Sequence, residues 1–311
     1  MNPHNVERLS GLIFAVLLIF VAPSALAQDA AVKTFPTYRA AATAFIAAVE
    51  ANDDSALKEI LGAQEKDLLS SGDATQDDNE RLAFLKHYRQ AHSFIRHTPN
   101  SVILTVGSTA WPLPFPIVRA DGVWHFDAVE GAKELAYRRI GQNELDAIRV
   151  CHALYAAQKT YAATAHDGNP AGAYAERFTS EPGTQSGLYW ETKEDEPESP
   201  AGSLVAEATN EGYGAAKQSG KPTPFHGYYY RMLKAQGANA VGGAKDYITD
   251  GRMTGGFAFV AYPAEYGASG VMTFLVGSRG AVYQKDLGQT TDEIAKAMTA
   301  FDPDSTWKVV R

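Results

Sequence analysis

The chain has one cysteine in 311 residues, Cys151. No intramolecular disulfide can form, and a metal site built on several thiolates is excluded. Cys151 falls in an apolar helical pattern, where a thiol acts as a small buried hydrophobe. Positive charge is also short: 28 Lys and Arg against 36 Asp and Glu leave a net charge of −8. Nucleic acid and anionic membrane surfaces require a basic footprint, so neither is expected as a partner. Complete catalytic signatures are missing as well. No G-x-S-x-G elbow occurs, and Ser55-Ala56-Leu57-Lys58 has S-x-x-K spacing without its S-D-N and K-T-G companions. Asp302-Pro303-Asp304-Ser305-Thr306 matches the D-x-D-x-T of aspartate-nucleophile phosphatases. A helical pattern precedes it where that chemistry needs a buried parallel strand, so it reads as a polar turn.

The long apolar runs number one. Residues 1–27 combine a short charged lead ending at Arg8, the run Leu12 to Val21, Pro23, and Ala25-Leu26-Ala27. This is the three-part pattern of a cleaved export signal. Ten apolar residues in a helix rise about 15 Å, half of a roughly 30 Å hydrocarbon layer, too short for a comfortable anchor. Cleavage after Ala27 and a periplasmic or secreted location are expected, with no stable membrane span afterwards.

The chain as a whole is 45% hydrophobic and 21% charged, the composition of a soluble globular protein. It changes character near Gly141: 12 of the 15 tyrosines and 20 of the 27 glycines follow that point, which favours two units over one, residues 28–141 and 142–311. In the first, Phe35, Tyr38, Ala42, Phe45, Ile46 and Val49 predict a helix ending near Asn52. Asp53 or Asp54 caps a short helix stopped by Gly62. Leu82, Leu85, Tyr88 and Ile95 predict a third helix. The period then switches to two, with a strand at Val102 to Val106 and a hairpin through Asp121-Gly122. This small α+β unit looks like the cone-shaped folds related to nuclear transport factor 2, which serve as enzymes or scaffolds. In the second, Asn143 with Asp146 forms a capping box opening a helix to about Ala165. Strands follow at Tyr228 to Leu233, Gly256 to Tyr262, Val271 to Val276 and Ala281 to Lys285, then a helix capped by Thr291. A long helix packed on an antiparallel sheet resembles the headpiece plan of type IV pilins. The fold class is α+β.

Few residues invite chemistry. His87, His92 and His97 lie five apart, a spacing that scatters them around a helix instead of presenting ligands at i and i+4. His166-Asp167-Gly168-Asn169 offers one carboxylate, where calcium loops supply several oxygen side chains. No metal and no cofactor are expected. His226, at the start of the Tyr228 strand, together with Glu265 and Lys285 at other strand ends, are the acid–base candidates if those rims coincide. Trp190, Tyr228, Tyr229, Tyr230 and Tyr266 are the candidates for an aromatic contact strip.

Several strings resemble one family of exported bacterial proteins known as domain of unknown function 2950. Among them are Arg138-Arg139-Ile140-Gly141-Gln142-Asn143-Glu144-Leu145, Ser186-Gly187-Leu188-Tyr189-Trp190, His226-Gly227-Tyr228-Tyr229-Tyr230, Pro263-Ala264-Glu265-Tyr266-Gly267 and Tyr283-Gln284-Lys285-Asp286-Leu287-Gly288. The resemblance implies export from a bacterial cell and carries no activity with it. The expected function is a non-enzymatic envelope module that contacts a protein or surface polymer through the tyrosine-rich unit. The alternatives are a hydrolase or lyase of an envelope polymer and a pilin-like assembly subunit.

Overall fold

The computed structural model describes residues 32–62, 70–193, 195–213 and 222–310. The expected leader, 1–27, lies outside the described residues. Helix α1 (Tyr38–Ala51) begins where the Thr37 hydroxyl accepts the Ala40 N–H and ends at Asn52, whose left-handed backbone returns its N–H to Ala48 and Val49. Asp53 caps α2 (Asp54–Leu61) in the same way. Asp73 caps α3 (Ala74–Gln90) by accepting the Gln76 N–H. A sheet follows, built from β1 (His92–Thr98), β2 (Ser101–Val106), β3 (Trp111–Pro112), β4 (Ile117–Ala120) and β5 (Val123–Phe126), in the order β1-β2-β4-β5 with β3 beside β2. Asp121 and Gly122 both take positive φ between the paired Ala120 and Val123, which is the geometry a two-residue hairpin turn requires.

One expected helix is shorter than its pattern. The Leu82–Tyr88 helix stops at Gln90, and Ile95 lies in β1, opposite Ile103 and exposed to solvent. Pairing of His92–Thr98 with β2 satisfies the backbone where a longer helix would run away from the sheet. The five-residue histidine series is therefore split, with His87 on α3 and His92 and His97 on β1.

The expected helix start at Asn143 is absent. Helix α4 (Ala128–Ala162) runs for 35 residues, about 52 Å at 1.5 Å per residue. Asn143 is buried in its interior and caps nothing. Its Nδ2 donates to Ser269 O at 2.9 Å, and its Oδ1 accepts from Gln76 Nε2 at 2.7 Å. The helix continues because both halves have somewhere to pack. Ala128, Ala132 and Leu135 join the N-terminal core, while Ala147, Val150, Cys151, Leu154 and Tyr161 join a second core. Gly131 is needed in the first half, since a Cβ there would lie 2.2 Å from the Phe115 ring.

The second core forms between α4 and a five-stranded antiparallel sheet. After α5 (Gly202–Asn210) come β6 (Tyr228–Leu233), β11 (Ala258–Pro263), β12 (Met272–Gly277), β13 (Val282–Asp286) and β15 (Lys308–Val309), in the order β15-β13-β12-β11-β6. The short strands β7 (Ala235–Gln236), β8 (Lys245–Asp246), β9 (Ile248–Thr249), β10 (Arg252–Met253) and β14 (Ala300–Phe301) form small accessory sheets. Every residue of β11 is buried, with α4 and α6 (Thr291–Ala297) packed against it. The class is α+β, and the long helix lies on the antiparallel sheet as its sequence predicts. Among the described residues, no helix is long and apolar enough to cross a membrane.

Candidate functional site

The tyrosines of β6 divide by strand alternation, and the central expectation for them meets the core. Tyr228 is wholly buried, its hydroxyl donating to Met272 O at 2.9 Å, and burial pushes its phenol well above the usual range. Tyr229 packs half-buried on Tyr262, and the half-buried Tyr230 points its hydroxyl at Phe225 O. Trp190 is half-buried against His166 and Tyr161. Tyr266 donates to Asp286 Oδ1 at 3.0 Å. Glu265 is exposed, its Cβ lying over Gly72 where an added Cβ would meet it at 3.2 Å. Lys285 Nζ sits 5.8 Å from the centre of the Trp307 ring. Among the described residues, no hydrogen bond or ion pair joins any two of His226, Glu265 and Lys285.

His226 belongs instead to a cluster drawn from three elements. With Gly227 it forms a tight turn, both residues at positive φ, closed by hydrogen bonds between Phe225 and Tyr228. Asp73 pins this turn: its Oδ2 accepts the Gly227 N–H at 3.0 Å and the Tyr213 hydroxyl at 2.9 Å. Gly227 admits no side chain, because a Cβ would come 2.3 Å from Asn143 Nδ2. Burial beside Asp73 raises the Tyr213 phenol above its ordinary value. The imidazole thus held lies with Nε2 3.4 Å from Glu211 Oε2 and 3.8 Å from Glu207 Oε1, and with Nδ1 4.0 Å from Asp146 Oδ2. Arg149 grips Glu207 through both oxygens, at 2.7 and 2.9 Å, and this pairing raises the guanidinium further above its usual range. One nitrogen and two carboxylates from His226, Glu207 and Glu211 are close enough to share a metal ion. Glu207 and Glu211, one helical turn apart, were visible in the sequence as an i, i+4 pair. Their partners were not.

A cavity lies elsewhere, in the N-terminal unit. Helices α1, α2 and α3, the first half of α4, and strands β2 and β3 enclose a cavity of about 820 Å³. One side of it is apolar, with Phe45, Val49, Leu57, Phe84, Phe115 and Leu135 among its residues. Its polar side carries Glu80 and the almost wholly buried Arg139, whose Nε is 3.9 Å from Glu80 Oε2. Burial raises the Glu80 carboxyl above its ordinary value, Asp77 adds to the rise, and Arg139 opposes it. A cavity with an apolar side and a charged, polar side suits a ligand with an apolar body and a polar head. Sequence reasoning missed it, since its apolar residues read as ordinary core, its charged ones as a solvated face, and they come from separate elements.

No curated protein and no solved structure matches the chain. The model of one family, described as a protein of unknown function (DUF2950), matches residues 32–310, nearly the whole length, and the protein belongs to that family.

Proposed function

We propose that the protein is an exported binding module whose ligand is an envelope amphiphile received by the cavity between α1, α2, α3 and α4. The observation that carries this reading is the cavity itself. Its volume of about 820 Å³ lies within the roughly 300–1,000 Å³ of small-molecule sites. The apolar wall gains from covering a hydrocarbon body at about 25 cal/mol per Å². Glu80 and Arg139 stand on the polar side, where a head group would meet an acceptor and a donor. The tyrosine-bearing sheet is a weaker contact surface, because Tyr228 is spent on the core. The export pattern of residues 1–27 supports a periplasmic or secreted setting, where such amphiphiles occur.

Ala83 lines the cavity yet is exposed, so a bulky side chain there blocks the mouth without entering the core. Titration with the fluorescent amphiphile anilinonaphthalene sulfonate is expected to show one saturable site in the native protein. Ala83→Trp is expected to weaken that site at least about tenfold, roughly 1.4 kcal/mol, with unchanged thermal stability. Equal affinity in wild type and variant, or no saturable binding in either, would rule out the cavity as the ligand site.

A further inference from the structure

We propose that Glu207, Glu211 and His226 bind a divalent transition-metal ion of the zinc class, displacing the Arg149 guanidinium from among them. The three donor atoms lie within 4.8 Å of one another. A tetrahedral zinc ion with bonds of about 2.0–2.1 Å holds its donors roughly 3.3 Å apart. His226 Nε2 is already 3.4 Å from Glu211 Oε2 and 3.8 Å from Glu207 Oε1, so side-chain adjustment alone closes the set. Asp146 stands 4.0 Å from Nδ1 on the other side of the ring, the position from which a carboxylate orients a ligating imidazole.

Charge points the same way. Three carboxylates, Asp146, Glu207 and Glu211, face the imidazole, and among the described residues Arg149 is the one Lys or Arg ion-paired with any of them. One positive charge against three negative leaves the cluster short of cations. Arg149 Nη2 lies 2.7 Å from Glu207 Oε1 and 3.4 Å from His226 Nε2, in the region a bound ion would take. Its side chain is 45% exposed, so it can swing into solvent without leaving a buried charge behind. An imidazole with two carboxylates suits zinc and its neighbours better than calcium, which gathers six to eight oxygens. Three protein ligands leave a fourth tetrahedral position for water or for a donor on a bound molecule.

Zinc titration of the full chain by calorimetry tests this. One equivalent is expected to bind, and His226→Ala and Glu211→Gln are each expected to weaken binding by at least about tenfold. Arg149→Met is expected to bind zinc more tightly, having lost the competing cation. Glu211→Gln alters a side chain that, among the described residues, is ion-paired with no Lys or Arg, so it remains informative if His226→Ala fails to fold. Wild type that does not bind at micromolar zinc would overturn the site, as would variants that bind like wild type. Calcium binding as strong as zinc would overturn the metal class. Weaker zinc binding by Arg149→Met would overturn the displacement.

Discussion

Single residues in this protein are held by demands that their neighbours in sequence do not reveal. Asp73 is an ordinary helix cap by local criteria, yet its second oxygen also fixes Gly227 and Tyr213, 154 and 140 positions away. Glu80 is an ordinary helical glutamate that ends at the polar side of a cavity. Its carboxyl is raised above 4.5, chiefly by desolvation. In the folded state it therefore binds its proton more tightly than in the unfolded chain. Its contribution favours folding below the ordinary carboxylate range and is lost as the pH rises through the raised value. Glu80→Gln is expected to be more stable than wild type near neutral pH, and the advantage should vanish below pH 4.5. Urea unfolding at the two pH values checks this, and an advantage of equal size at both would remove the titration as its cause.

At the level of elements, local pattern identified most helices and the main strands of the second sheet, misplaced two ends, and gave no sign of α5 or the short accessory strands. The β6, β12 and β13 strands and the Asp121-Gly122 hairpin follow from alternation and turn chemistry. Ile95 follows Tyr88 at seven residues, a spacing that fits a helix, but pairing with β2 claimed it for a strand. Asn143 with Asp146 has capping-box chemistry whether or not the helix continues, and only burial on both sides of Asn143 made it continue. The two glycines of α4 show how packing outweighs propensity. Glycine costs about 1 kcal/mol relative to alanine in a helix interior. Gly141 has nothing within 4 Å of a built Cβ, so Gly141→Ala is expected to stabilise by up to about 1 kcal/mol. Gly131→Ala places its methyl 2.2 Å from Phe115 and 2.6 Å from Pro114 O, so the same propensity gain is expected to be overridden by about 1–3 kcal/mol of overpacking. Thermal melts of the two variants should shift in opposite directions, and shifts of the same sign would show that the Phe115 contact is relieved at little cost.

Across the whole molecule, two hydrophobic cores are served by one helix and by a seam of polar contacts, Gln76 to Asn143 to Ser269 and Asp73 to Gly227. Calorimetry of wild type is expected to give one cooperative transition. Gly141→Pro interrupts α4 between its two packed halves at a cost of about 3 kcal/mol, and it is expected to split the melt in two. A single transition in that variant would mean that the seam alone couples the cores.

Chain-local physics was enough to establish the α+β class, the absence of disulfides, the compositional shift near Gly141, most helices, and the strands β2, β4, β5, β6, β11, β12 and β13. Side-chain period and turn geometry are properties of a few consecutive residues, and they can be read in order. The cavity, the seam and the Glu207–Glu211–His226 cluster could not be read that way. Each depends on residues tens of positions apart, or more, meeting through the packing of α3, α4, α5 and the turn before β6. The free energy of those meetings comes from burial and charge pairing in three dimensions, which no stretch of sequence displays.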